Sequence, residues 1–114
     1  MKRYSGIVER GPRRGTRLGF PTANIRCADS EVSGIYAALV YIKDKPPHSA
    51  AVYADTKRGV LEAHILDFSG DLYGLTITME LHKKIREDET FKSDDVLRKT
   101  IARDIQKVRE YFKK

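Results

Sequence analysis

A glycine- and arginine-rich stretch near the start of the chain has the residue types of an anion-binding loop. Glycines recur there at every fourth position, at Gly11, Gly15 and Gly19. They allow positive φ and let a ligand approach the main chain. Four arginines surround them: Arg10, Arg13, Arg14 and Arg17. Because an anion would meet amide donors and positive charge together, the stretch predicts a phosphate-binding loop. The alternative is a flexible surface loop whose arginines are solvated.

Thr22 and Asn24 follow this loop and have the side chains to hold a metal ion or a phosphate. Pro21 restricts Phe20 to an extended conformation, so we expect a strand to begin at this point. Residues two apart in a strand point to the same side of it. A hydroxyl and an amide oxygen would therefore lie together, and Mg²⁺ prefers oxygen ligands of this kind. The pair is a candidate site for Mg²⁺ or for phosphate.

Alternating apolar and polar residues predict a mainly β protein. We expect six strands, at about 3–9, 22–26, 34–43, 49–53, 60–68 and 75–82. An apolar stripe at helical spacing then runs from Leu97 to Phe112, and Ser93 is a candidate N-cap. The pattern predicts a six-stranded antiparallel Greek-key β-barrel, with the C-terminal helix packed on its side against the doubly apolar strand 34–43.

Composition limits the class of protein. At 114 residues we expect one domain, spanning 1–114, that is large enough to bury a core without disulfides or a structural metal. The single Cys27 excludes an internal disulfide and fits a reducing compartment. No apolar stretch follows the first residues, so we expect a cytoplasmic protein. We also expect a monomer. The net charge of +6 favours anionic partners, which could be nucleotide phosphates, a nucleic acid or an acidic surface.

Two long blocks and three shorter ones resemble the riboflavin kinase family. The first block is Gly-Phe-Pro-Thr-Ala-Asn-Ile at residues 19–25, and the second runs from Leu-Glu-Ala-His at 61–64 to Asp-Leu-Tyr-Gly at 71–74. Shorter matches lie at residues 34–37, 85–91 and 101–104. The resemblance spans nearly the whole chain in the same order. It implies a kinase that uses ATP and Mg²⁺ to phosphorylate the terminal ribityl hydroxyl of riboflavin, giving FMN.

The resemblance also implies roles for individual residues. Thr22 and Asn24 would serve Mg²⁺ and the phosphates, and Glu62 would be the general base. The loop from Gly11 to Gly19, which contains Arg14, Gly15 and Arg17, would cover the nucleotide phosphates. Three further residues would lie on the flavin side: Arg86, Phe91 and Tyr73. No adenylyltransferase domain is expected here, so FMN would be the end product.

Each of these residues also has a plain structural interpretation. A glutamate on the outward face of a strand is usually only solvated, and His64 on the same face more often makes a structural hydrogen bond. Tyr73 could be a core aromatic residue. Arg86 could be one more surface charge, and Phe91 could pack against the helix start.

The chain departs from the family pattern between residues 51 and 59. Family members usually carry an Asn-Ile-Gly…Pro-Thr-Phe segment and a longer loop there, whereas this chain has Ala-Val-Tyr-Ala-Asp-Thr-Lys-Arg-Gly. The segment helps to shape the substrate-side wall. Two other functions stay open. One is a family relative that binds flavin or nucleotide without turnover. The other is a basic barrel that binds single-stranded nucleic acid through Tyr4, Tyr36, Tyr41 and Tyr53.

Overall fold

Six strands and one helix make up the computed structural model, which describes residues 1–11 and 19–113. The elements are β1 (Lys2–Ile7), β2 (Ala23–Arg26), β3 (Gly34–Ile42), β4 (His48–Asp55), β5 (Val60–Ile65), β6 (Thr76–Arg86) and the helix α1 (Asp94–Phe112). Both the number of strands and the C-terminal helix predicted from the pattern are confirmed.

The strands form one antiparallel sheet in the order β1-β6-β3-β4-β5-β2. Strands β3, β4 and β5 follow each other directly, and β6 returns to pair with β3, which is the Greek-key arrangement. The sheet curls until its ends meet, because an antiparallel bridge joins Glu9, just beyond β1, to Asn24 on β2. The amide of Glu9 donates to the carbonyl oxygen of Asn24 at 2.8 Å. The result is the predicted barrel, nearly closed.

The largest differences from the predicted bounds are at the ends of β5 and β6. β6 extends to Arg86 because Lys83, Lys84 and Arg86 still pair with β3, across two register shifts. β5 ends earlier, at Ile65, because Asp67 adopts a positive φ of 55° and leaves the extended conformation. The longer β6 matters for function, since it carries Arg86 to the place where β3 begins.

The hydrophobic core fills the barrel, and a second cluster lies under the helix. Inside the barrel the fully buried side chains include Ile25, Leu61, Ile77 and Met79. The second cluster joins Val108 of α1 to Ala37, Ala51 and Leu66. The helix therefore packs on β3 and β4, as the doubly apolar pattern of β3 predicts. Small alanines on the sheet let the helix approach closely.

The start of α1 is fixed by the expected cap. The hydroxyl of Ser93 accepts a hydrogen bond from the amide of Val96 at 3.3 Å, and two acidic residues follow in the first turn, where the helix dipole favours negative charge. Two polar residues also lie on the buried face of the helix, Thr100 and Asp104. The hydroxyl of Thr100 is satisfied by the carbonyl of Val96, whereas Asp104 is paired from outside the helix.

Candidate active site

Two adjoining hollows lie on the side of the barrel where β2, β4 and β5 meet. The first, here called the Glu62 cavity, has a volume of about 480 Å³, and its walls include Tyr53, Glu62 and Phe91. The second, here called the Asn24 hollow, has about 460 Å³ and is bounded by residues 8–11, 21–24, 63–65 and 68–73. Thr22 and His64 line both. Each space is of the size that binds small organic molecules, so two ligands could meet at Thr22.

Glu62 occupies the outward face of β5, between two neighbouring strands. Its register partner on β2 is Asn24, and its partner on β4 is Tyr53. Directly opposed residues in an antiparallel pair lie on the same side of the sheet, with Cβ atoms about 4.5–5.5 Å apart. The barrel therefore brings Thr22, Asn24 and Glu62 to one place, although they are separated by about forty residues in sequence.

The carboxylate of Glu62 is mostly shielded from solvent and has one cationic neighbour, Arg58. Its side chain is 14% exposed, and its Oε1 accepts a hydrogen bond from Nη1 of Arg58 at 3.1 Å. Burial raises the pKa of Glu62, and the Arg58 guanidinium opposes that shift only in part. Asp55, which accepts from the amide of Arg58 and lies 3.6 Å from its guanidinium, adds to the rise. A carboxylate in this setting is a better proton acceptor than a solvated one.

Asn24 presents a free oxygen to the second hollow. The residue is 5% exposed, and its Oδ1 is buried without a hydrogen-bond partner among the described residues. Gly11 lies against it, and a Cβ atom at Gly11 would come within 2.6 Å of the Asn24 amide nitrogen. A buried polar atom without a partner costs free energy. An oxygen kept in this condition fits Mg²⁺, which binds hard oxygen ligands.

His64 has the structural role expected of it. Its Nδ1 lies 3.0 Å from the carbonyl oxygen of Pro21, and its ring meets the edge of Phe20 at a centroid distance of 5.5 Å. These contacts hold the entry to β2 and thereby fix the position of Thr22.

Arg86 and Phe91 lie together at the far wall of the Glu62 cavity. The guanidinium of Arg86 is 5.6 Å from the Phe91 ring centre. It is held by a bidentate pair with Asp104 of α1, both bonds at 2.8 Å. The Asp104 side chain is only 5% exposed, and breaking a buried pair of this kind costs about 3–5 kcal/mol. Arg86 is therefore an anchored wall residue rather than a surface charge.

Gly34 is the position that lets this wall close. It has a φ of 90°, and a Cβ atom there would collide with the carbonyl oxygen of Arg86. Only glycine accommodates both conditions. The Gly-Ile-Tyr-Ala motif at residues 34–37 is thus linked to the place of Arg86.

Tyr73 is not brought together with Arg86 and Phe91. It lines the Asn24 hollow, where the Arg10 guanidinium lies 4.3 Å from its ring centre. Its exposed fraction is 52%, so the alternative interpretation as a core aromatic residue is wrong. Gly11 reaches the same hollow, and Gly19 has a φ of 92°. Three other predicted loop residues lie outside the described residues: Arg14, Gly15 and Arg17.

Several residues that shape the Glu62 cavity were not predicted from the sequence: Tyr53, Asp55, Arg58, Asp88 and Asp104. The first three fall in the segment 51–59, where the chain departs from the family pattern, so the resemblance gave them no role. Asp104 did carry a signal, since it is an acidic residue on the apolar face of a helix. Such a residue needs a partner when it is buried.

The tyrosines that suggested nucleic-acid stacking have hydrogen bonds within the protein. Tyr4 donates to Asp29, Tyr41 to Glu80 and Tyr53 to Asp88, while the hydroxyl of Tyr36 accepts from the amide of Ser33. All four are half-buried. Their rings form part of the walls of the barrel.

In the described part of the chain, no helix is long and apolar enough to cross a membrane.

Comparison with known proteins identifies relatives over nearly the whole chain. The family described as "Flavokinase: Riboflavin kinase" matches residues 2–112. The bifunctional riboflavin kinase/FMN adenylyltransferase of Escherichia coli strain K12 is 40% identical over 95% of this chain, and that of Pseudomonas fluorescens is 33% identical over 94%. The chain spans 37% of the length of each of these two relatives.

Two solved structures share the fold. The riboflavin kinase of Trypanosoma brucei superposes with a TM-score of 0.69 at 25% identity, covering 96% of this chain and 78% of that one. A Streptococcus pneumoniae protein described as a macrolide-efflux protein superposes with a TM-score of 0.80 at 29% identity, covering 94% of this chain and 38% of that one.

Proposed function

Because this chain belongs to the riboflavin kinase family, we propose that it transfers the γ-phosphate of ATP to the ribityl 5′-hydroxyl of riboflavin, giving FMN and ADP. The observation that carries the proposal is the meeting of Thr22, Asn24 and Glu62 where two hollows join. One hollow offers a base and an aromatic wall, and the other offers an oxygen-lined floor. A two-substrate transfer needs both.

Riboflavin would occupy the Glu62 cavity, with its ring near Phe91 and Arg86 and its ribityl chain directed towards Glu62. The aromatic face and the anchored guanidinium suit a planar heteroaromatic ring. The nucleotide phosphates would lie in the Asn24 hollow, beside Gly11 and Thr22. Tyr73, together with Arg10, would then contact the nucleotide side rather than the flavin.

Glu62 would act as the general base. As the ribityl oxygen forms its bond to the γ-phosphorus, the bond from that phosphorus to the β,γ-bridging oxygen breaks, and ADP leaves with the bridging oxygen. The hydroxyl proton passes to the Glu62 carboxylate. The raised pKa of Glu62 favours this acceptance.

Thr22 and Asn24 are the residues that would hold Mg²⁺ with the phosphates. The buried, unpaired Oδ1 of Asn24 supports that assignment. When bound, the cation would neutralise charge on the transferring phosphoryl group. The protein's own part would be to fix the two oxygen donors beside the base. The register of β2 with β5 sets Asn24 opposite Glu62, and the contact of His64 with the Pro21 carbonyl holds the chain just before Thr22.

The proposal is tested by incubating the chain with riboflavin and ATP, with and without Mg²⁺, and separating the flavins by chromatography. We expect FMN and ADP in equal amounts, and only when Mg²⁺ is present. Flavin binding without any FMN would instead identify a non-catalytic relative. Salt-sensitive oligonucleotide binding without flavin binding would identify the nucleic-acid alternative.

A further inference from the structure

One tyrosine connects the sheet to the segment that closes the Glu62 cavity. Tyr53 lies on β4, with Ile35 and Glu62 as its register partners on either side. Its ring is half-buried in the cavity wall. Its hydroxyl donates a hydrogen bond to Oδ2 of Asp88 at 2.8 Å. Asp88 belongs to the segment 87–93, which lies between β6 and α1 and also carries Phe91.

This segment has few other attachments. Glu87 pairs with Lys84 and accepts from Arg86, and Glu89 lies 3.8 Å from the Arg86 guanidinium. These contacts all lead back to β6, the strand from which the segment emerges. Among the described residues, the Tyr53–Asp88 bond is the one hydrogen bond that ties the segment to β4. Without this bond, the contacts given above and the Phe91 ring, which lies 5.6 Å from the Arg86 guanidinium, would connect the segment to β6 but not to β4.

We propose that Tyr53 is a positioning residue of the flavin site: its hydroxyl holds the segment 87–93 over the Glu62 cavity through Asp88, so that Phe91 faces the bound ring. The inference rests on the proposed function for the identity of the ligand. It goes beyond that function because it assigns a substrate-affinity role to a residue in the segment 51–59, where the family pattern supplies none.

The chemistry of the pair favours one direction of the hydrogen bond. A phenol that donates to a carboxylate forms a charge-assisted hydrogen bond, which is stronger than one between neutral groups. Burial, followed by the bond to Asp88, raises the pKa of Tyr53, so the hydroxyl keeps its proton across the physiological range. The phenol is therefore the donor in this hydrogen bond, and the Asp88 carboxylate is the acceptor.

The kinetic test removes only the hydroxyl. Tyr53→Phe should raise KM for riboflavin about five- to tenfold, the effect of losing one hydrogen bond of ordinary strength, with kcat and KM for ATP changed less than about twofold. Asp88→Ala should reproduce this change, and the double variant should be no worse than either single one. Asp88→Asn, whose amide oxygen still accepts from the phenol, should recover most of the affinity.

Tyr41→Phe is the matched control. Tyr41 also donates to a carboxylate, that of Glu80 at 3.3 Å, but it does not line the cavity. Its loss should leave KM for riboflavin unchanged. An unchanged KM in Tyr53→Phe, or equal losses for riboflavin and ATP, would overturn the inference, since either result denies a selective role in the flavin site.

A second measurement needs no turnover. Amide hydrogen exchange of the ligand-free chain should be faster at residues 88–92 in Tyr53→Phe than in the parent, with unchanged exchange in β6. Equal exchange in the two proteins would refute the tie even if FMN is formed. If the parent forms no FMN, the proposed function is wrong. The exchange measurement still tests whether the Tyr53–Asp88 bond holds the segment.

Discussion

The barrel carries the same short pattern twice, and only one copy lies in the cavity. Leu61-Glu62-Ala63-His64 on β5 and Met79-Glu80-Leu81-His82 on β6 both alternate apolar and polar residues around a Glu-x-His pair. In both, the apolar residues are buried inside the barrel and the glutamate lies on the outer side. By local sequence alone the two glutamates are equivalent. Their surroundings are not.

Glu80 is fully engaged by its neighbours. It accepts from Arg3 at 2.6 Å and from Tyr41 at 3.3 Å, and His82 Nε2 lies 2.6 Å from its Oε1. These partners, His82 first, lower the pKa of Glu80. The His82 ring in turn packs edge-on against Phe112 at the end of α1. Glu80 thus belongs to a network of contacts that joins β1, β3 and β6 to the end of α1.

Glu62 is left short of partners. The cross-strand neighbour of Glu62 on β2 is the neutral Asn24. The corresponding neighbour of Glu80, on β1, is the positively charged Arg3. His64, unlike His82, turns away to the Pro21 carbonyl. Burial therefore dominates and raises the pKa of Glu62. The comparison shows that residue type alone does not distinguish a candidate base from a structural carboxylate. The distinction depends on how many hydrogen-bond and charge partners the carboxylate already has.

The largest expected difference between the two glutamates is in turnover. Glu62→Gln should lower kcat for FMN formation by about 10²–10⁴-fold, the contribution of a positioned general base. Glu80→Gln is the matched control and should leave kcat within about twofold of the parent. Steady-state assays of both variants check this. Similar losses in the two would remove the distinction drawn here.

The next effect concerns the cross-strand neighbour of Glu62. Asn24→Ala should increase the Mg²⁺ concentration needed for half-maximal activity by about tenfold or more, because a buried oxygen donor is lost. Gln106→Ala removes an exposed helix amide and should not change the requirement. A Mg²⁺ titration of activity at saturating ATP and riboflavin measures both. An unaltered requirement in Asn24→Ala would exclude Asn24 from the metal site.

A smaller effect, of opposite sign in the two copies, is expected in stability. Glu62→Gln removes a charge that its surroundings disfavour, so Tm at pH 7 should rise by a few degrees. Glu80→Gln breaks a satisfied network and should lower Tm by several degrees. Thermal unfolding followed by circular dichroism is sufficient. A lower Tm in both variants would mean that Arg58 holds Glu62 as firmly as its three partners hold Glu80.

The smallest effect is the pH dependence of these Tm differences. The pKa of Glu80 is lowered by folding, so its stabilisation is present above the unfolded pKa and is lost as pH falls through the folded pKa. The pKa of Glu62 is raised, so its relative stabilisation is present below the unfolded pKa and is lost as pH rises through the folded one.

On acidification, both variants should therefore converge with the parent, but over different ranges. The Glu62→Gln difference should disappear first, at pH values above the ordinary glutamate pKa. The Glu80→Gln difference should persist to pH values below it. Unfolding measured from pH 7 to pH 3 gives the order, and the reverse order would contradict the two opposite shifts.

Much of this architecture could be predicted from the sequence because it follows from periodicity. The alternation around Leu61 and the stripe ending at Phe112 give strands and helix directly, and the double apolarity of β3 indicates the helix packing. The meeting of Asn24 with Glu62 depends on which strands pair, and no local pattern encodes that register. The family resemblance supplied it indirectly.

The rest could not be predicted because it depends on contacts between distant residues. The tie from Tyr53 to Asp88 spans 35 residues, and the pair of Arg86 with Asp104 joins a strand end to a helix. The resemblance grouped Tyr73 with Arg86 and Phe91, which line the Glu62 cavity, whereas Tyr73 lines the Asn24 hollow. The turn after Leu72 directs it there, and sequence spacing gives no sign of that direction.

Single-turnover FMN formation tests the central claim most directly. The parent and Glu62→Gln are mixed with less than stoichiometric riboflavin and saturating Mg-ATP, and flavin fluorescence reports binding before chromatography reports product. The account predicts unchanged flavin binding and a rate of phosphoryl transfer at least about a hundredfold lower in the variant. Equal rates of FMN formation in the two proteins would show that Glu62 does not take the proton.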